Sequence, residues 1–247
     1  MSIFLIKLIA AASMLLDHIG MILFPNVLWL RIAGRLAFPL YALCIAEGFR
    51  HTRNRIKYFL RIFVLGAVCQ VVYFFVSADP YLGILITFSL SIVLLFLLDA
   101  LLCACEKRAN FISKLWEKVF KKAAPRPAAV TLCALLFCAA LSGIFMLNRA
   151  ITIDYGMTGV LFPVLVYLGY SSRRQKLLGP YLGVAMLSCN FEGAPTPRIW
   201  SLLALIPITL YNGKPGKYKL KYFFYIFYPA HLVVLYAIDV LPAMLGR

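Results

Sequence analysis

The chain has 247 residues, 63% of them hydrophobic and only 14% charged, with a mean hydropathy of +0.89. That balance lies far outside the soluble range and indicates a polytopic membrane protein. A net charge of +16 would suggest a nucleic-acid partner in a soluble chain, but here the cations gather in alternate connections between apolar runs, the pattern of membrane topology.

Apolar runs near residues 3–24, 28–48, 57–77, 81–104, 128–147, 152–170, 177–190, 197–211 and 222–245 approach the length that crosses a hydrocarbon core as a helix. The expected fold class is all-α: a polytopic transmembrane bundle of about nine helices (eight to ten, because the seventh and eighth runs are short and proline-flanked) in one integral-membrane domain over 1–247. One set of connections holds eighteen Lys and Arg and the other only Arg149, Arg198 and Arg247. The positive-inside rule then sets the N-terminus in the cytoplasm and the C-terminus outside. The first run carries an acid, lacks a small-residue cleavage site and leads at once into the second. It reads as a retained helix, not a signal peptide.

In the first run, Asp17 and His18 stand side by side at depth, where a charge costs roughly 2.5–3.5 kcal/mol and needs a partner or a task. Lys7 lies three helical turns before His18 and on the same face, which separates a cation from an imidazole by about 16 Å. That span suits the phosphopantetheine arm of a coenzyme A entering from the cytoplasm. The second run starts outside, so Arg31 lies one turn down and Arg35 about 10 Å down, level with Asp17 and His18. An Asp17–Arg35 pair would neutralise two charges and lock the first two helices together. His18 is offset from Asp17 by about 100° and must face something else. The basic connection that follows contains Glu47, Arg50, His51, Arg53 and Asn54. Topology alone has no need of Glu47, His51 and Asn54, and arginine forks near a helix mouth suit phosphate.

The segment 106–124 places Phe111, Ile112, Leu115, Trp116, Val119 and Phe120 on one face and lysines on the rest, as an interfacial amphipathic helix on the anionic inner leaflet does. Seven cysteines include no CxxC and no Cys/His ligand cluster, so no metal is expected. In the last run His231 lies near mid-bilayer, Pro229 loosens the helix just before it, and Tyr222, Tyr225 and Tyr228 recur at helical spacing.

The stretches "MLLDHIGMILFP" (14–25) and "LRIAGRLAFPLYALCIAEGFRHTRNRIKYFLR" (30–61), with "DYGMTGVLFPVLVYL" (154–168) and "KYFFYIFYPAHL" (221–232), resemble the TraX family, named for a conjugative-plasmid protein that N-acetylates pilin. The resemblance implies a multi-pass protein of the bacterial cytoplasmic (inner) membrane, related to transmembrane acyltransferases that move acetyl groups from cytoplasmic acetyl-coenzyme A to an acceptor on the far side. Many of those proteins have an arginine eleven residues before the first-helix histidine, where this chain has Lys7.

The leading expectation is therefore a membrane-embedded acetyltransferase. The lipid bilayer, coenzyme A and an outer-side acceptor are its partners, the acceptor being a peptide N-terminus, a glycan or a lipid-linked sugar. His18 is the candidate base or acyl carrier, with Asp17, Arg35 and His231 completing the catalytic group. Lys7, Glu47, Arg50, His51, Arg53 and Asn54 are candidates for coenzyme binding, and Arg31, Asp154, Tyr155, Tyr228 and Glu192 for the acceptor. The alternatives are a proton-coupled transporter or flippase using Asp17, His18, Arg35 and His231 as a relay, and a non-catalytic assembly subunit.

Overall fold

The computed structural model describes residues 1–77, 81–106, 117–118, 125–169, 177–189, 198–216 and 221–244. Glu192 and all but three residues of the expected amphipathic segment 106–124 lie outside them. The helices are α1 (Ile3–Ile22), α2 (Leu28–Gly34), α3 (Ala37–His51), α4 (Arg55–Ser77), α5 (Ile84–Cys105), α6 (Arg126–Ala150), α7 (Gly156–Gly169), α8 (Leu178–Ser188), a 3-10 helix (Arg198–Ala204), α9 (Leu205–Thr209) and α10 (Lys221–Met244). Among the described residues the β structure is limited to one bridge, Leu82 to Ile153.

The architecture is the all-α membrane bundle expected. Among the described residues, six helical stretches are long and apolar enough to cross a membrane: Ile3–Ile22, Leu28–His51, Arg55–Phe74, Ile84–Cys105, Pro127–Ala150 and Phe223–Val240. Three shorter apolar ones, Gly156–Gly169, Leu178–Ser188 and Arg198–Thr209, complete the set. At 14 and 11 residues, α7 and α8 reach only about 21 and 16 Å. The second predicted run is two helices, because the chain breaks at Arg35–Leu36. Pro39 explains the break: it has no N–H for the Arg35 carbonyl, and its ring would meet that carbonyl in a continuous helix. Arg35 and Leu36 instead donate to Ile32 and Ala33, three residues back, at 3.1 and 3.5 Å.

The chain divides into two compact units, Met1–His51 with Leu165–Arg247, and Thr52–Val164. In the first, α1 packs on α2, α3 and α10, while α8, the 3-10 helix and α9 gather beside α3. Ile6, Ala10, Leu40, Leu43 and Phe49 form its fully buried centre. Close approach of α1 to α2 depends on glycine. A Cβ at Gly20 would sit 2.8 Å from the Leu30 Cβ, and one at Gly34 would overlap the Asp17 side chain. The N-terminal residues are laced to the segment after α9, with Asn212 donating to the Met1 carbonyl and Ile3 to that of Lys214, both at 2.9 Å.

In the second unit α5 packs on α4 and α6. The α5 hydroxyls are buried but served by main-chain carbonyls: Thr87 donates to Asp154 at 3.0 Å, Ser91 to Val160 at 2.9 Å and Ser89 to Leu85 at 2.8 Å. Arg55 at the start of α4 makes a forked ion pair with Asp99 of α5. Ile56, Leu60, Val64, Val68 and Val71 on α4 are exposed apolar side chains, as a lipid-facing surface requires.

Candidate active site

The two neighbours Asp17 and His18 serve different helices, as their angular offset demands. Asp17 faces α2. Its Oδ2 lies 2.9 Å from Arg31 Nη1, and the same Nη1 donates to the Asp17 carbonyl at 3.1 Å. The bond from Arg35 Nη2 to Asp17 Oδ1 is longer, 3.5 Å. Arg31, expected at the acceptor, is thus the tighter partner of the acid, and Arg35 the looser one. Lying one turn nearer the start of α2, Arg31 reaches both the carboxylate and the main chain of the same residue. Arg35 is buried, and its Nε–H has no hydrogen-bond partner.

His18 faces α10. Its Nδ1 lies 3.0 Å from Nε2 of His231, and His231 Nδ1 lies 2.7 Å from the Phe227 carbonyl one turn back. The Met14 carbonyl, one turn before His18, also interacts with that ring. The chain of bonds assigns the tautomers. A carbonyl can only accept, so His231 Nδ1 carries the proton and its Nε2 must accept. His18 Nδ1–H is then the donor, and His18 Nε2 keeps a free lone pair. Phe227 stacks on the His231 ring at 5.1 Å and 15°, and Tyr228 meets it edge-on at 6.0 Å. Those rings fix the His231 plane, and that plane aims the bond to His18.

Lys7 and His18 both lie on the α10-facing side of α1, the Lys7 ammonium resting 6.0 Å from the centre of the Phe224 ring. Glu47 near the end of α3 is buried. Its Oε2 accepts from the Tyr211 hydroxyl at 2.6 Å and lies 3.4 Å from His51 Nε2, while Oε1 has no partner. Glu47 thereby holds Tyr211 and His51 in position. A pocket of about 130 Å³ adjoins it, lined by Leu43, Leu177, Pro180, Ile208, Tyr211, Asn212 and Gly213. Arg50 is exposed in the last turn of α3.

The remaining sequence candidates belong to the second unit. Arg53 is exposed. Asn54 caps α4, its Oδ1 accepting from the Lys57 N–H at 2.9 Å. Asp154 is held through its main chain, donating to Leu82 and accepting from Thr87. Tyr155 adopts a left-handed backbone with φ of 58°.

Sequence reasoning missed four residues that organise these sites. Asp99 was legible as an acid inside an apolar run that needs a cation, which Arg55 supplies. Gly34 is the small residue that lets Asp17 reach α2. Tyr211 lies 164 positions from Glu47, and no local signal links them. The Phe227 carbonyl, which fixes the His231 tautomer, is a main-chain group.

Comparison with known proteins fits this arrangement into a family. The profile described as TraX protein matches residues 2–239. A relative described as probable fimbrial assembly protein FimC, serogroup H1, from Dichelobacter nodosus, is 28% identical over 95% of this chain and 94% of its own length. Protein TraX of Escherichia coli is also 28% identical, over 94% of this chain and 84% of its own. No solved structure gives a significant match. With the match running from the second residue into the last helix, and so across Asp17, His18, both arginines and His231, the chain belongs to the TraX family.

Proposed function

We propose that this protein is a membrane-embedded acetyltransferase that takes acetyl from cytoplasmic acetyl-coenzyme A and delivers it to an amine or hydroxyl on the extracytoplasmic side. The observation that carries the reading is the 3.0 Å contact of His18 Nδ1 with His231 Nε2, which, with the Phe227 carbonyl on His231 Nδ1, assigns the available lone pair to His18 Nε2. Imidazole is neutral in good part near pH 7 and suits proton transfer there. The acceptor nitrogen or oxygen attacks the thioester carbon while His18 Nε2 takes its proton. The C–S bond breaks, and the His18 imidazolium returns that proton to the departing coenzyme A thiolate. In the covalent variant His18 Nε2 attacks the thioester carbon, the C–S bond breaks to release the coenzyme A thiolate, and the acceptor then takes the acetyl group from Nε2 as its own proton passes to that thiolate.

The other residues take supporting tasks. His231 is a positioning residue, stabilising the cation that forms on His18 by accepting its Nδ1–H. Arg50 and Lys7 supply cations for the phosphates of coenzyme A. Glu47 orders Tyr211 and His51 at the same end of the first unit as Met1 and the segment after α9. The cytoplasmic membrane of a bacterium, with the N-terminus inside, is the setting this requires. The experiment is direct: reconstitute the full chain in vesicles, present acetyl-labelled coenzyme A on the N-terminal face, and follow label onto amine and hydroxyl acceptors on the other. Release of coenzyme A with label on the acceptor supports the reading, and an intact thioester with every acceptor class refutes it.

A further inference from the structure

The acetyl-transfer reading leaves the acceptor's chemistry open, and we infer that Arg31 and Arg35 form a binding site for an oxyanion, a carboxylate or phosphate carried by that acceptor. Only the word acceptor rests on the acetyl-transfer reading; the anion site stands on its own geometry. Two guanidiniums share one carboxylate, so the cluster keeps one positive charge in excess. No other ion pair of either arginine occurs among the described residues. An excess charge within a membrane span calls for a counter-ion.

Donor accounting points the same way. Arg31 uses one nitrogen twice, on the Asp17 carboxylate and on the Asp17 carbonyl. Arg35 has one long contact of 3.5 Å, and its Nε–H is buried and unsatisfied in a side chain only 8% exposed. Asp17 Oδ1 reaches Arg35 only through Nη2, and the Gly34 backbone is packed against the Asp17 side chain so tightly that a Cβ there would overlap it. The Nε–H is thereby left over, beside an Nη2 that Asp17 holds only loosely. A guanidinium edge with a free Nε–H beside Nη matches the paired oxygens of a carboxylate or phosphate. A neutral hydroxyl would leave the excess charge standing, and an ammonium would add to it. The two arginines are held by Asp17, the residue before His18, so an oxyanion anchored on them would bring another group of the same molecule toward the imidazole.

The test is binding in detergent to the purified full chain, with no acetyl-coenzyme A present. The probes are decyl phosphate, inorganic phosphate and decyltrimethylammonium, and the variants are Arg35→Gln, Arg35→Lys and, as an exposed control, Arg149→Gln. We expect at least one phosphate probe to bind and the ammonium not to. Arg35→Gln should weaken phosphate binding about 10–100-fold, the usual loss for one charge-assisted bond. Arg35→Lys keeps the charge and a partner for Asp17 but lacks the Nε–H, so it should stay folded and still weaken binding about tenfold or more. Binding of decyl phosphate alone assigns the anion to a lipid-anchored acceptor, and of inorganic phosphate alone to a soluble one. Equal affinities in wild type, both Arg35 variants and Arg149→Gln, or no phosphate binding at all, would overturn the inference. Because the readout is binding, failure of acetyl transfer would sink the proposed reaction without touching this result.

Discussion

Asp17→Asn tests the buried charge cluster most severely. The carboxylate contacts Arg31 at 2.9 Å and Arg35 at 3.5 Å, with side-chain exposures of 20% for the acid and 13% and 8% for the arginines. At an effective dielectric near 20, each contact contributes about 5 kcal/mol of attraction, largely offset by desolvation of the ions. Removing only the negative partner keeps the desolvation of two guanidiniums and loses the attraction, a situation that costs about 3–5 kcal/mol. Asparagine is isosteric and can still accept one hydrogen bond, so the lower figure, about 3 kcal/mol, is expected. Adding Arg35→Gln should restore about 1 kcal/mol, because one stranded cation is removed with the acid already gone. The assay is denaturant unfolding of the purified chain in detergent, followed by helical circular dichroism. An Asp17→Asn protein within about 0.5 kcal/mol of wild type would mean the contacts are surface-like and the depth argument is wrong.

Three further outcomes follow from the geometry. Gly34→Ala should lower stability by about 1–3 kcal/mol in the same assay, because the new methyl must push Asp17 away from α2. Replacing Arg50 with alanine should weaken coenzyme A binding by about 1.5–3 kcal/mol while leaving pantetheine affinity nearly unchanged, read by titration calorimetry. His231→Ala removes the acceptor for His18 Nδ1–H, so kcat counted per coenzyme A-binding site should fall about 10–100-fold with KM for acetyl-coenzyme A unchanged; counting binding sites separates this from loss of folded protein, which would leave the rate per site at the wild-type value.

Much of the bundle was legible because apolar length is a direct requirement of the bilayer: nine predicted runs and the observed helices agree to within a few residues. The interruption at Arg35–Leu36 was not foreseen, although Pro39 carried the signal. Helical rise correctly brought Asp17 and Arg35 to one level, but rise says nothing of side-chain reach, and Arg31 makes the shorter contact. The same angular offset that separated His18 from Asp17 required another partner for the imidazole without naming it. His231 was flagged for being a second histidine at depth, yet its contact with His18 depends on how α10 packs on α1, which no spacing within either helix encodes.

The role proposed for His18 Nε2, proton acceptor of an acetyl transfer, is addressed most directly by His18→Ala. The side chain removed is neutral and sits between helices already joined by other contacts, so stability in detergent and affinity for coenzyme A should stay close to wild type. Turnover with labelled acetyl-coenzyme A should nevertheless fall about 10²–10⁴-fold, the usual contribution of a positioned general base. A folded His18→Ala protein that binds coenzyme A and transfers acetyl at near-native rate would contradict the claim and leave the His18–His231 pair as a packing contact.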